Sequence, residues 1–237
     1  MTWLNLSSGN GSAFLYYSFD SSSIYGSTVV NLGSGGSTYN AVMYNSPTVS
    51  VTDKVVGTAA VEFNASSSQY ILIPPFTTGL SGLSIVCWFK FSGSQPFSRI
   101  FDFGNDPPGN NNANNNLLFS LDIGDVFIEY WSNSNTEKGM YDIFGYDPND
   151  GAWRHLAWTI DSSGYWLVYV NGDVINSSGE LGYPPSITRI YNYLGRSGWA
   201  EDPYLSGAID EFYLFQYCIS ATQVQGLYNH GRCTPRT

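Results

Sequence analysis

Leu194-Gly195-Arg196-Ser197-Gly198-Trp199 and, beyond Ala200-Glu201, Asp202-Pro203-Tyr204-Leu205-Ser206-Gly207-Ala208-Ile209-Asp210-Glu211-Phe212 form the stretch that decides the fold of this chain. Its first part is a turn-rich polar loop that concentrates Arg, Trp, Tyr and acids. Its second part opens an apolar run, Ser206–Phe215, that reads as a buried strand interrupted by two adjacent carboxylates.

The same pattern recurs upstream. Runs at Ala13–Phe19, Val55–Phe63, Gln69–Ile73, Ser84–Phe91, Arg99–Phe103, Leu117–Asp122 and Val126–Trp131 predict strands. A meander follows over Trp153–Ile160, Tyr165–Val170 and Asp173–Asn176. Its second turn is Asn171-Gly172, a pair that tolerates positive φ at both positions and so suits a two-residue hairpin. One helix is predicted over Ala221–Asn229. Ser220 and Gln223 form a capping box there, and Val224, Leu227 and Tyr228 form an apolar stripe. Asn105–Asn116 is rich in Asn and reads as a spacer loop. With no linker and no fixed repeat, residues 1–237 read as a single domain: an all-β antiparallel sandwich with one short C-terminal helix.

Composition narrows the partners. Charged residues are only 12% while aromatics reach 16%, so Gly, Ser and Asn supply the polar surface. Net charge is −10, and nine Lys plus Arg cannot build the basic face that a nucleic-acid binder needs. An anionic membrane surface is disfavoured for the same reason, and there is no apolar run long enough to insert in a membrane. Divalent cations and neutral partners suit such a surface. The opening residues lack the basic and apolar regions of a secretion signal, which implies a removed leader, a carrier polypeptide or virion assembly. Cys87 sits in an apolar strand and reads as a buried thiol. Cys218 and Cys233 flank the helix and either pair or stay free.

Three separated pieces carry a resemblance: Tyr16-Tyr17-Ser18-Phe19-Asp20 with Tyr39-Asn40-Ala41, Trp153-Arg154-His155-Leu156-Ala157-Trp158 with Asn171-Gly172, and Gly207-Ala208-Ile209-Asp210-Glu211-Phe212 with the capped helix. In this order the chain resembles the laminin-G-like branch of the concanavalin A-like lectin/glucanase superfamily over nearly its whole length. Similar domains occur in secreted polysaccharide-degrading proteins and in surface proteins of large DNA viruses. The resemblance implies a jelly roll of two antiparallel sheets and, in many members, a structural Ca²⁺ between the first and last strands. The matching positions are Asp20 and Asp210, with Asn40 as an oxygen donor. Ca²⁺ wants such hard oxygen ligands. The family's frequent Asp-x-Ser-Gly-Asn-Gly turn is absent here.

Two stretches have sugar-binding chemistry. Alternation places Phe127, Glu129 and Trp131 on one face of their strand, and a face carrying Glu129 is expected to be wet. Exposed aromatic rings would stack on sugar C–H faces while the carboxylate accepts from hydroxyls. The other reading is a strand covered by a loop. Arg196, Trp199, Asp202 and Tyr204 make the second candidate, on a surface loop where binding residues commonly sit. Its alternative is a loop that plugs the sandwich end.

A catalytic set does not emerge. His155 lies in a packed strand, and Glu129 stands alone. Asp210 and Glu211 are expected on opposite faces, unlike the closely spaced carboxylates of retaining glycosidases. The expectation is therefore not an enzyme but a non-catalytic carbohydrate-binding or adhesion module, extracellular or on a virion surface, with a glycan or glycoprotein surface as partner. Virion or other surface proteins are a further class of partner. The alternative is a structural, protein-contact module of a virus capsid or fibre, and a glycoside hydrolase ranks last.

Overall fold

The structure, a computed structural model, describes residues 12–78, 81–105, 107, 114–132 and 137–233, with side chains as far as residue 231. Most of the Asn-rich spacer and the side chain of Cys233 lie outside the described residues.

Two antiparallel sheets face each other. The first has eight strands, in the order Asp173–Glu180, Tyr165–Val170, Arg154–Asp161, Gly82–Phe91, Gly207–Phe215, Ala60–Phe63 and Thr48–Ser50, with Leu15–Tyr17 also paired to Gly207–Phe215. The second has nine: Glu137–Met140, Val126–Trp131, Leu117–Leu121, Arg99–Gly104, Tyr191–Leu194, Tyr70–Ile73, Ala41–Tyr44, Thr28–Val29 and Ile24–Tyr25. This is the predicted all-β sandwich.

Alternation builds the core. Leu83, Ile85, Cys87, Phe89 and Phe91 point inward from one sheet to meet Phe101, Phe103, Leu117, Phe119 and Ile128 from the other. Each such side chain contributes roughly 1.5–3 kcal/mol when fully buried. The central strands read as continuous apolar runs because the outer face of the eight-stranded sheet is also covered. The helix Ala221–Cys233 lays Val224 and Leu227 on Val86, Ala157, Tyr169, Tyr213 and Phe215. Its capping box forms: the Ser220 N–H donates to Gln223 Oε1 at 2.9 Å, and the Gln223 N–H to Ser220 Oγ at 3.3 Å. The hairpin forms too, with φ of 53° at Asn171 and 87° at Gly172. Cys87 is buried and Cys218 is a free, exposed thiol.

Three local expectations are corrected. The run Val55–Phe63 is strand only over Ala60–Phe63, because the N–H groups of Val55 and Val56 turn to the carboxylate of Asp210. Ala41–Tyr44 and Tyr191–Leu194 were not foreseen, yet they complete the middle of the nine-stranded sheet. The strict alternation of Asp210 and Glu211 fails. Glu211 has φ of 53°, and the pairing with Gly82–Phe91 shifts register between Asp210 and Tyr213.

Candidate functional site

The outer face of the nine-stranded sheet carries the side chains with binding chemistry. One lateral row runs Val42, Leu72, Tyr193, Asp102, Leu118 and Glu129 across six strands. The loop that leaves Leu194 folds back over this row. Gly195 turns it, at φ of 79°, and a side chain there would press on the Phe63 ring. The Gly198 N–H donates to Asp102 Oδ2 at 2.9 Å, and the Asn116 amide donates to Asp102 Oδ1 at 2.6 Å. Asp102 is fully buried. Burial raises its pKa, opposed by the Arg99 guanidinium and these hydrogen bonds.

Arg99 ties the loop to the sheet. Its Nη2 donates to Asp202 Oδ2 at 3.0 Å, its Nη1 to Phe97 O at 3.0 Å and to the Ser120 hydroxyl. Its Nε lies 3.8 Å from Asp102 Oδ2. The guanidinium sits 5.4 Å from the Phe127 ring centroid and 5.5 Å from that of Trp199. Trp199 meets Trp131 edge to face at 6.3 Å, a favoured aromatic geometry. The Trp131 indole N–H donates to Glu129 Oε2 at 2.6 Å, and the Tyr141 hydroxyl to Glu129 Oε1 at 2.7 Å.

The first sequence candidate and half of the second, Trp199 and Asp202, thus meet on one surface. Phe127, Trp199 and Asp202 converge on Arg99, which sequence reasoning missed, and Trp131 with Glu129 adjoins them through Trp199. The signal was there: two charges, Arg99 and Asp102, inside the apolar strand Arg99–Gly104. The exposure expected on the Glu129 face is corrected, since Phe127 is 4% and Glu129 7% exposed. Phe97 and Tyr141 pack on Phe127, and Trp131, Tyr141 and Glu137 enclose Glu129, so burial raises its pKa. Trp131 and Trp199 are half-buried, and Tyr141 is exposed.

Arg196 and Tyr204 form a second cluster on the same face. The guanidinium of Arg196 lies 4.7 Å from the Tyr193 ring, 4.9 Å from Tyr70 and 5.7 Å from Tyr204. Tyr44 stacks on Tyr70 at 4.8 Å.

The positions implied for a cation lie elsewhere, beside the first and last strands. The Val55 and Val56 N–H groups each donate to Asp210 Oδ2 at 2.9 Å. Asp20 Oδ1 accepts from the Thr58 hydroxyl at 3.0 Å and from the Thr58 N–H. One short loop therefore holds both carboxylates. Asp210 Oδ1 is buried without a hydrogen-bond partner, and burial, with the nearby Asp20 charge, raises the Asp210 pKa to about 7. Phe19 and Glu211, the chain neighbours of the two aspartates, both have positive φ, at 58° and 53°. For a buried Phe this is a strained conformation. Glu211 accepts from the Tyr16 and Tyr213 hydroxyls, and its pKa is pushed up to about 8, mainly by burial. Asn40 is engaged apart from these, its Oδ1 accepting from the Asn31 N–H at 2.9 Å. Among the described residues no set of three His, Cys, Asp or Glu side chains gathers around one point.

Other polar features are buried or paired within the protein. His155 is buried between Trp88 and Tyr228, and burial lowers its pKa to about 3, so it stays neutral. A cleft of about 450 Å³ opens on the eight-stranded sheet beside Glu62, Gln69 and Lys90. There Lys90 pairs with Asp53, and Gln69 donates to the carbonyls of Asn45 and Ser46. No helix among the described residues is long and apolar enough to cross a membrane.

Comparison with known proteins agrees with this architecture. Residues 64–225, more than half of the chain, match the laminin G family model described as Concanavalin A-like lectin/glucanases superfamily. No curated protein sequence matches. Among solved structures, domain 4 of the extracellular arabinanase AbnA from Geobacillus stearothermophilus, solved with arabinotriose, superposes with a TM-score of 0.68. Identity is 21% over 91% of this chain and 98% of that domain. The receptor-binding domain of botulinum neurotoxin mosaic serotype C/D gives 0.63 at 15% identity, over 92% of this chain and 50% of that one. The binding domain of Paraclostridial Mosquitocidal Protein 1 gives 0.62 at 14%, over 92% and 52%. The chain thus spans about half the length of the toxin binding domains. At such identities the likeness is one of fold.

Proposed function

From the premise that the chain belongs to the concanavalin A-like lectin/glucanases superfamily, we propose that it is a non-catalytic glycan-binding module acting outside the cell or on a virion surface. The observation that carries this reading is the gathering of Trp199, Phe127 and Asp202 on Arg99, with Trp131 and Glu129 adjoining through Trp199, over one sheet face. Half-buried aromatic rings offer flat surfaces for sugar C–H faces. The indole, phenol and carboxylate groups around them are hydrogen-bonded in place, as oriented recognition requires. The aromatic band runs from Tyr44 to Trp131, five strand steps apart, or about 24 Å at about 4.8 Å per strand. That length suits an extended chain of several sugars. The arabinotriose complex of AbnA domain 4 supports the same ligand class.

The proposal includes a structural Ca²⁺ held by Asp20 and Asp210. The unpartnered, buried Asp210 Oδ1 beside a second carboxylate fits a hard cation. Its role would be to neutralise the pair and hold the loop at residues 55–58 against the last strand.

A glycan array tests the function. Binding to at least one polysaccharide class is expected, with Trp199→Ala weakening it roughly 30-fold, as loss of a well-packed aromatic contact of about 2 kcal/mol implies. No binding across a broad panel would favour a protein-contact module of a capsid or fibre instead. Release of reducing sugars from any bound polysaccharide would overturn the non-catalytic reading.

A further inference from the structure

Arg196 differs from the other arginines whose side chains are described. Arg99 faces Asp202 and Asp102, and Arg154 faces Asp150 in a pair with two 2.8 Å hydrogen bonds. Arg189 is fully buried, donating to Asn115 O and the Thr78 hydroxyl. Arg196 is half-buried and has no carboxylate partner among the described residues, in a chain of net charge −10. Three tyrosine rings hold it instead, at 4.7, 4.9 and 5.7 Å.

A tyrosine cage fixes a guanidinium without neutralising it. Ring faces contribute cation–π attraction, about 0.5–1 kcal/mol at exposed sites, but no counter-charge. They also restrict the side chain's rotamers, so little further entropy is lost when its N–H fork meets a ligand. The natural complement of such a fork is a planar carboxylate accepting two parallel hydrogen bonds. The site adjoins the Trp131–Trp199 platform through the loop that carries Trp199 itself.

Resting on the glycan-binding reading above, we infer that Arg196 is the specificity residue of that face and that its ligands are acidic glycans, with a uronic or sialic acid carboxylate seated on Arg196. The net negative charge elsewhere then acts as a filter. It repels polyanions at long range and leaves only a correctly placed single carboxylate rewarded.

The test uses matched pairs that differ in charge alone. The probes are an oligosaccharide ending in a single glucuronic acid against its methyl ester, and sialyllactose against its methyl ester, titrated calorimetrically into the whole chain. At least one acidic member is expected to bind tenfold or more tighter than its neutral partner. Arg196→Gln should erase that preference, bringing the acidic and neutral members of each pair to the same affinity, and Arg196→Lys should retain part of it. Melting curves of both variants should match the wild type. Equal affinity for both members of each pair, or a preference that survives in Arg196→Gln, overturns the acidic class but leaves glycan binding intact. Binding of neutral glycans alone does the same. Binding of no glycan on the array overturns both readings.

Discussion

Replacing Arg99 with Met is the most informative single perturbation. Its side chain is 5% exposed, and it is the cation beside Asp102, whose own side chain is 1% exposed. Removing one partner of a buried pair costs about 3–5 kcal/mol, because the other charge stays behind without compensation. Asp202, 20% exposed, can recover water and adds little to that figure. The loss should depend on pH in a defined sense. Burial already raises the Asp102 pKa and Arg99 lowers it, so Met at position 99 raises it further. The folded variant then binds a proton that the unfolded chain does not. Stability is therefore present at low pH and declines as pH rises through the folded pKa. The gap between wild type and variant should be small in acid, about 1–2 kcal/mol from the lost hydrogen bonds to Phe97 and Ser120. It should widen to the full value once pH has risen above the folded pKa. Urea unfolding at a series of pH values measures both. Adding Asp102→Asn to the variant should recover about 1–3 kcal/mol at the alkaline end, as expected for coupled neighbours. A gap that is the same at every pH, or a double variant no better than the single, would refute the account of Arg99 as the counter-charge of Asp102.

Two further perturbations probe other parts of the molecule. If Ca²⁺ bridges Asp20 and Asp210, calcium at a hundred times its Kd should stabilise the fold by about 2.7 kcal/mol. Without calcium, stability should fall as pH rises from about 4 towards the Asp210 pKa of about 7, and calcium should flatten that fall. Identical melting with calcium and with chelator, or a shift that persists in Asp210→Asn, would exclude the site. Ser220→Ala should cost about 1 kcal/mol through loss of the helix cap, read by urea unfolding. An unchanged midpoint would show that packing of Val224 and Leu227 alone holds the helix.

What could be read from the chain depended on the distance over which each decision is made. The Asn171-Gly172 hairpin and the Ser220–Gln223 cap were legible because a few adjacent residues determine them. Most strands were legible because their apolar alternation is local. The burial of Phe127 and Glu129 was not, since the groups that cover them, Phe97 and Tyr141, come from other segments. Residues 55–59 read as strand by composition, but a carboxylate 155 positions away captures the Val55 N–H. The Arg99 cluster gathers side chains from several separate segments, and no spacing rule on one chain specifies that meeting. The polar and aromatic character of these positions could be read from the chain, while their exposure and partners were set by the fold.

The first strand, Leu15–Tyr17, pairs with the last, Gly207–Phe215, and the capped helix lies on that same sheet. Both ends of the described fold therefore belong to one layer, and the aromatic face belongs to the other. Polypeptide attached at either end would meet the domain on its back, like a thread passing behind a bead. On the glycan-binding reading proposed above, grafting the domain onto a carrier should thus leave ligand capture undiminished, and tandem copies on a flexible linker should gain avidity on a repetitive glycan without any change in the site itself.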